Sequence, residues 1–446
     1  MAVSEAGGGA RPETRAAALG SPMAWWVWIL AVTFVVYLFS FQTGYSIVNP
    51  SVQADLGLSI EQISGIAAVY TWAFAICQFF GGALLDRLGA RRVLPVSIAL
   101  VTLGIFIFAN ADSYAMLLLS QIVIAIGSCT GFVGAGYVGG QWFGMAKFSF
   151  MFGLVQVVAA LTSAFSVNLI GFALRAMTWR ELFAATTVFG VVLFVLGLIY
   201  IKNPQPVPRT EERGVGSFFA SVVKSMADVA KVRHVWVAAI GGALSFGALL
   251  ALGVVWMPKL LQIHGLSVGA ANFGASMLWL GLAAGSAAVP YWSDVIHSRK
   301  RPILVGTAVQ FVALLGLVFV PNFSVGVAMA LCFIFGFANA AHMLAFSTAA
   351  DVVQPNQIGT SAAIVNGLMF ILGGVLISRP GIRIGLGLDA GYEPASLQLA
   401  QYASVPIIVA CALAVVIAIV MRETYPREMP RDAAAHVPPS EVPSSA

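Results

Sequence analysis

Charge is what this sequence has least of. Only 9% of its residues are Asp, Glu, Lys or Arg, against about 25% in ordinary soluble domains. A chain that is 59% hydrophobic cannot cover a water-facing surface with so few polar groups, but it can dissolve in bilayer hydrocarbon. Cysteine is scarce as well. Cys77, Cys129, Cys332 and Cys411 stand singly in apolar runs, which excludes a disulfide framework or clustered metal site and leaves small apolar packing residues. No G-x4-G-K-[ST] loop occurs, so ATP-driven pumping has no support. The apolar runs lack a clustered nucleophile, metal ligands or paired carboxylates, and no enzyme, cofactor or metal is expected. The net charge of +5 is spread over short loops, an orientation signal and not a nucleic-acid patch.

What is present is long apolar runs. Crossing the hydrocarbon core takes about 20 such residues, and twelve runs qualify: 24–50, 60–85, 93–111, 113–142, 149–173, 181–201, 235–260, 269–292, 302–320, 324–350, 358–379 and 399–421. The expectation is an all-α membrane protein with two six-helix bundles, 24–201 and 235–421. Residues 1–23 and 422–446 read as disordered cytoplasmic tails, and no cleavable signal peptide is expected because the first run is full length. With the N-terminus in the cytoplasm, 18 of the 23 basic residues fall on that side and 5 (Arg175, Arg180, Lys259, Arg379, Arg383) on the other. Both termini are therefore expected to be cytoplasmic, in a multi-pass protein of the cell (inner) membrane. Residues 202–234 form a linker whose later part, with Phe218, Phe219, Val222, Val223, Met226 and Val229 at helical spacing, predicts an amphipathic helix on the membrane surface.

A short pattern recurs. GALLDRLGARR after the second span holds Gly82, Asp86, Arg87, Gly89, Arg91 and Arg92, and PYWSDVIHSRKR after the eighth holds Asp294 and Arg299. The Asp-to-Arg spacing is the same in both, and the two copies stand one six-span half apart. Asp86 at a span's end can sit at a neighbouring helix N-terminus and pair with arginine, latching two helices. Gly82 allows close helix approach and Gly89 a tight turn. The alternative is a charged loop that only enforces topology.

GALLDRLGARR resembles the loop signature of the major facilitator superfamily between its second and third helices, and TWRELF (Thr178 to Phe183) resembles its Trp-Arg pair before the sixth. The resemblance covers residues 24–421 and implies two pseudo-symmetric six-helix halves around a central cavity. It also implies that spans one, four, seven and ten line the cavity, helped by two, five, eight and eleven. Two departures matter. Gln121 stands where many members place an arginine, and the fifth span lacks the Gly-Pro motif of drug/proton antiporters.

Intramembrane polar residues usually face the bundle interior, so they are the candidate substrate-binding residues: Gln42, Tyr45 and Asn49 in span 1; Tyr70 and Gln78 in span 2; Gln121 in span 4; Gln156 in span 5; Trp256 in span 7; Asn272 and Trp279 in span 8; Asn339 and His342 in span 10; and Asn366 in span 11. For each, the plainer reading is an interhelical hydrogen bond of about 0.6 kcal/mol. His342, the single titratable group at depth, is a candidate proton carrier or else a buried neutral histidine. The expected function is a secondary active or facilitative transporter of a small organic solute such as an organic acid, amino acid or short peptide. It would work by alternating access as a monomer. An exporter of amphipathic or lipid-like compounds and a transport-dead sensor are the alternatives.

Overall fold

The computed structural model describes residues 19–204 and 215–426; most of both expected tails and part of the linker lie outside them. Among the described residues the regular structure is entirely helical, and twelve stretches are long and apolar enough to cross a membrane. Numbered along the chain, they are span 1 (Pro22–Leu56), span 2 (Ile60–Leu88), span 3 (Ala90–Ala109), span 4 (Tyr114–Ser128 and Gly131–Phe143), span 5 (Phe148–Ala173) and span 6 (Trp179–Tyr200). The second set is span 7 (Arg233–Ala251, Leu252–Trp256 and Met257–Ile263), span 8 (Val268–Val295) and span 9 (Lys300–Phe319). Span 10 (Val325–Asn339, Ala340–Met343 and Leu344–Ala350), span 11 (Ile358–Asp389) and span 12 (Leu397–Val420) complete it. An even number of crossings puts both ends of the described chain on one face, called here the terminal face.

Local chemistry sets where the spans start. Each even-numbered span begins on the opposite face behind a Ser or Thr N-cap: Ser59, Ser113, Thr178, Ser267, Ser324 and Ser396. These hydroxyls accept from backbone N–H groups that a helix start would otherwise leave unbonded. On the terminal face Gly89 makes the sharp turn between spans 2 and 3 with φ 73°, a conformation that disfavours a β-carbon.

Three spans are irregular. Span 4 breaks at Cys129–Thr130, span 7 carries a π-helical turn at Leu252–Trp256, and span 10 tightens to a 3-10 turn at Ala340–Met343. Spans 4 and 10 occupy equivalent places in the two halves. Span 11 is the one clear misreading of length: it continues through Asp389, ten residues beyond the expected end at 379. Arg379 and Arg383 do not end it, because Arg383 lies over the Tyr402 ring at 3.8 Å and its Nε donates to the Tyr402 carbonyl. A long cationic side chain near a span end can reach polar partners while its stem stays in the apolar layer.

Helix Val215–Ala230 joins the two sets of spans on the terminal face. It buries Val222 and Val229 and exposes Phe219 and Val223, so its apolar residues are divided between protein and surroundings. Arg87 Nη2 donates to the Ser221 carbonyl at 2.7 Å, and the Ser225 and Thr360 hydroxyls lie 3.4 Å apart. The helix thus touches both the end of span 2 and the start of span 11.

Candidate functional site

The two sets of six spans meet tightly on the terminal side. Gly359 and Thr360, at the start of span 11, donate their backbone N–H groups to Asp86 Oδ1 and Oδ2 at 2.8 Å each, and the Thr360 hydroxyl adds a bond to Oδ2 at 2.9 Å. A carboxylate placed on the positive end of a helix gains from both the unbonded N–H groups and the dipole. The contact needs glycine, because a β-carbon on Gly82 would overlap the Gly359 carbonyl. Across spans 5 and 10, Ser149 Oγ donates to Ser347 Oγ at 2.6 Å, with the Phe152 and Phe346 rings 4.5 Å apart beside them. Gly153 packs directly on the Ser286 carbonyl of span 8.

Beyond this closure, towards the opposite face, lies a cavity of about 370 Å³. Six of the expected residues line it: Gln42, Tyr70, Gln156, Trp279, His342 and Asn366. Among the described residues that line it there is no Asp, Glu, Lys or Arg. The walls are aromatic. Tyr70 stacks on Phe74, Phe74 meets Phe370 edge-on at 5.0 Å, and Phe246 lies 4.7 Å from the His342 ring. His342 Nδ1 lies 2.8 Å from the Asn339 carbonyl, an acceptor only, so the neutral ring carries its proton on Nδ1 and Nε2 is the acceptor nitrogen. The side-chain amide nitrogen of Asn366 is buried without a hydrogen-bond partner.

Seven expected residues are elsewhere. Tyr45 packs into the first-half core, edge-on to Phe108 at 5.9 Å. Asn49 shares a stripe with Gln42 but stands seven residues, about 10 Å, further along the helix. Asn272 is likewise seven residues outward of Trp279 and is exposed. Gln121 is buried on the outer part of span 4, and Gln78 is fully buried with neither amide atom hydrogen-bonded among the described residues. Asn339 donates its amide to the Ser245 carbonyl on span 7 at 2.7 Å. Trp256 donates its indole N–H to the Ile377 carbonyl and borders a separate pocket with Lys259. The apolar wall residues Phe246, Phe346 and Phe370 have no signal in the sequence, since phenylalanine in a span does not stand out against a lipid background.

The two loop patterns also diverge. Asp86 reaches across to the other half, whereas Asp294 stays within its own: Arg299 Nη1 donates to Asp294 Oδ1 at 2.7 Å and Arg299 Nε to Asp351 Oδ2 at 3.2 Å. Arg91 contributes its backbone N–H, which donates to Asn203 Oδ1, and Arg92 is exposed. Asp351, unremarked in the sequence, follows directly on span 10. Burial pushes its carboxyl up to about 6 against the pull of Arg299. Glu423, just past span 12, accepts from the Ser298 hydroxyl and from the backbone N–H groups of Arg299 and Lys300. Burial alone would raise the Glu423 carboxyl, but these bonds and the Tyr425 N–H together hold it below the ordinary value.

Twelve spans, a cavity between two sets of six and an Asp86 cap on span 11 set the terms for comparison with known proteins. Residues 27–378 match the Major Facilitator Superfamily. The chain belongs to that superfamily. It is a superfamily transporter, not an enzyme, and its relatives carry small organic solutes. It is 23% identical over 386 residues to the hexuronate transporter of Bacillus subtilis, covering 82% of this chain and 90% of that one. It is 24% identical to a protein described as a probable galactarate/D-glucarate transporter of the same organism, over 60% of this chain and 64%, just under two thirds, of the relative. The fold is similar to that of the proton:xylose symporter XylE bound to 6-bromo-6-deoxy-D-glucose, with TM-score 0.65, 15% identity and coverage of 90% and 96%. It is also similar to the human organic anion transporter MFSD10, with TM-score 0.62.

Proposed function

We propose that this superfamily member moves a small organic solute by alternating access, with residues 24–201 rocking against 235–421 around the aromatic cavity. The structure described above is then the state closed on the terminal face. Asp86 acts as a latch for that state, with Gly82 and Gly89 shaping its loop, Arg87 tethering the linker helix, Arg91 and Arg92 flanking it, and the Asp294–Arg299 pair bracing the second half. The bias of 18 basic residues to 5 supports a cytoplasmic terminal face in the inner membrane. A monomer suffices, because the cavity is built within one chain.

The observation that carries the solute class is the uncharged lining. An anion held there would have no fixed countercharge in a low-dielectric site. The solute therefore binds neutral, zwitterionic or protonated, its apolar body against Phe74, Phe246 and Phe370 and its polar groups on Gln42, Gln156 and Asn366. The sugar-acid relatives support an organic acid as solute. In that case the charge is neutralised by a proton, either on the acid or on His342 Nε2. The Phe-rich wall also favours an exporter of amphipathic compounds as a second reading. A thermal-shift screen of purified protein against organic acids and uncharged analogues tests the class, since a bound ligand stabilises by RT ln(1 + [L]/Kd). Uptake into proteoliposomes should follow for the stabilising compounds, driven by an inward proton gradient for acids. Stabilisation by permanently charged dianions alone, at a pH where no proton is available, would overturn it.

A further inference from the structure

The molecule has a second large opening, whose lining shares no residue with the solute cavity. It is a pocket of about 480 Å³ on the terminal face, lined among others by Arg233, His234, Asp351, Val420, Arg422 and Glu423. It lies where the start of span 7 meets the ends of spans 10 and 12.

Its charges are unequal in availability. Asp351 is held by Arg299 and by the Thr424 hydroxyl. The Glu423 oxygens take bonds from Ser298, Arg299, Lys300, Thr424 and Tyr425. Glu423 is thus engaged at both oxygens, and Asp351 at Oδ2, by donors from their own half. Arg233 and Arg422 are exposed, and no ion pair or hydrogen bond engages either side chain among the described residues. The ring nitrogen Nε2 of His234 is buried without a hydrogen-bond partner. Two available guanidinium groups and one imidazole therefore border the same hollow, and guanidinium is the side-chain group best matched to phosphate oxygens.

The surroundings decide the source of the phosphate. Trp236 stands two residues beyond His234, partly exposed, with its indole N–H bonded to the Ala230 carbonyl. A tryptophan at a span end marks headgroup depth. Val420, which lines the pocket, is 68% exposed, and Ile419 beside it is 55% exposed, an apolar wall facing acyl-chain space. A free anion has no use for that wall, whereas a phospholipid fits both parts: phosphodiester on the arginines, chains along span 12. Basic pockets between spans on the cytoplasmic side are suited to anionic headgroups.

We infer that the Arg233–His234–Arg422 pocket is a binding site for the phosphodiester headgroup of an anionic phospholipid. The site is separate from the solute cavity, so it can be tested without knowing the solute.

The test is native mass spectrometry of the full-length protein released from detergent with phosphatidylglycerol, phosphatidylcholine or inorganic phosphate. The expected result is a retained phosphatidylglycerol adduct in preference to phosphatidylcholine. In R233Q/R422Q its apparent affinity should fall roughly 30-fold, from the loss of two cationic contacts at the membrane surface. K147Q/K224Q, which removes two exposed lysines from the same face, should leave the adduct unchanged. R233K/R422K should retain most binding, which separates lost charge from misfolding. Equal losses in both glutamine double variants would show diffuse attraction and overturn the site. So would equal retention of phosphatidylcholine, or binding of inorganic phosphate with no lipid adduct.

Discussion

The proposed latch depends on one residue, Asp86. Its carboxylate takes three hydrogen bonds from the first turn of span 11, and such a charge at a partly buried helix start is worth up to about 2 kcal/mol. Asp86→Asn is expected to shift the population roughly tenfold towards the form open on the terminal face. Transport turnover should slow while solute affinity changes little, and unchanged turnover would count against the latch. Arg299 does a different job. It is 2% exposed and pairs with Asp294 and with Asp351, itself 5% exposed. Arg299→Met leaves the buried Asp351 carboxylate without its cation, which costs about 3–5 kcal/mol, so a large drop in thermal stability is expected on a melting curve; an unchanged midpoint would refute the pairing's importance. His342→Gln keeps a polar side chain but removes the titrating imidazole. Uptake should lose its dependence on the proton gradient, and a preserved dependence would remove His342 from the coupling path.

At the scale of helices, packing of spans 5 and 8 on the terminal side needs the bare backbone of Gly153 against Ser286. Gly153→Leu should hold the two halves apart there and reduce transport at least tenfold, with expression preserved, while Gly171→Leu in open space on the same span should not. The helices themselves were legible in the sequence. Apolar length gave all twelve, and the misjudged end of span 11 came from reading Arg379 and Arg383 as water-bound. The cavity was half legible. Polar stripes identify the face of a span but not the depth, so Gln42 and Trp279 line the cavity while Asn49 and Asn272, two helical turns outward, do not. For Gln78, a buried amide looks the same in sequence whether it faces a cavity or is enclosed by other spans. The aromatic wall of Phe246, Phe346 and Phe370 had no sequence signature at all.

For the molecule as a whole, the named hydrogen bonds between halves gather on the terminal side, from Asp86 and Gly359 to Ser149 and Ser347, and the cavity lies beyond them. That asymmetry is what one end of an alternating-access cycle requires. Exposed positions exist on both sides of the span 5–span 8 pair: Lys147 and Val295 near the terminal face, Phe172 and Val268 near the other. Spin labels on each pair, in a background lacking the four cysteines, report the two openings separately by pulsed dipolar spectroscopy. When Asp86→Asn is introduced, the Lys147–Val295 distance should lengthen while the Phe172–Val268 distance shortens. Distances that stay fixed, or that lengthen together, would contradict two halves rocking about a central site.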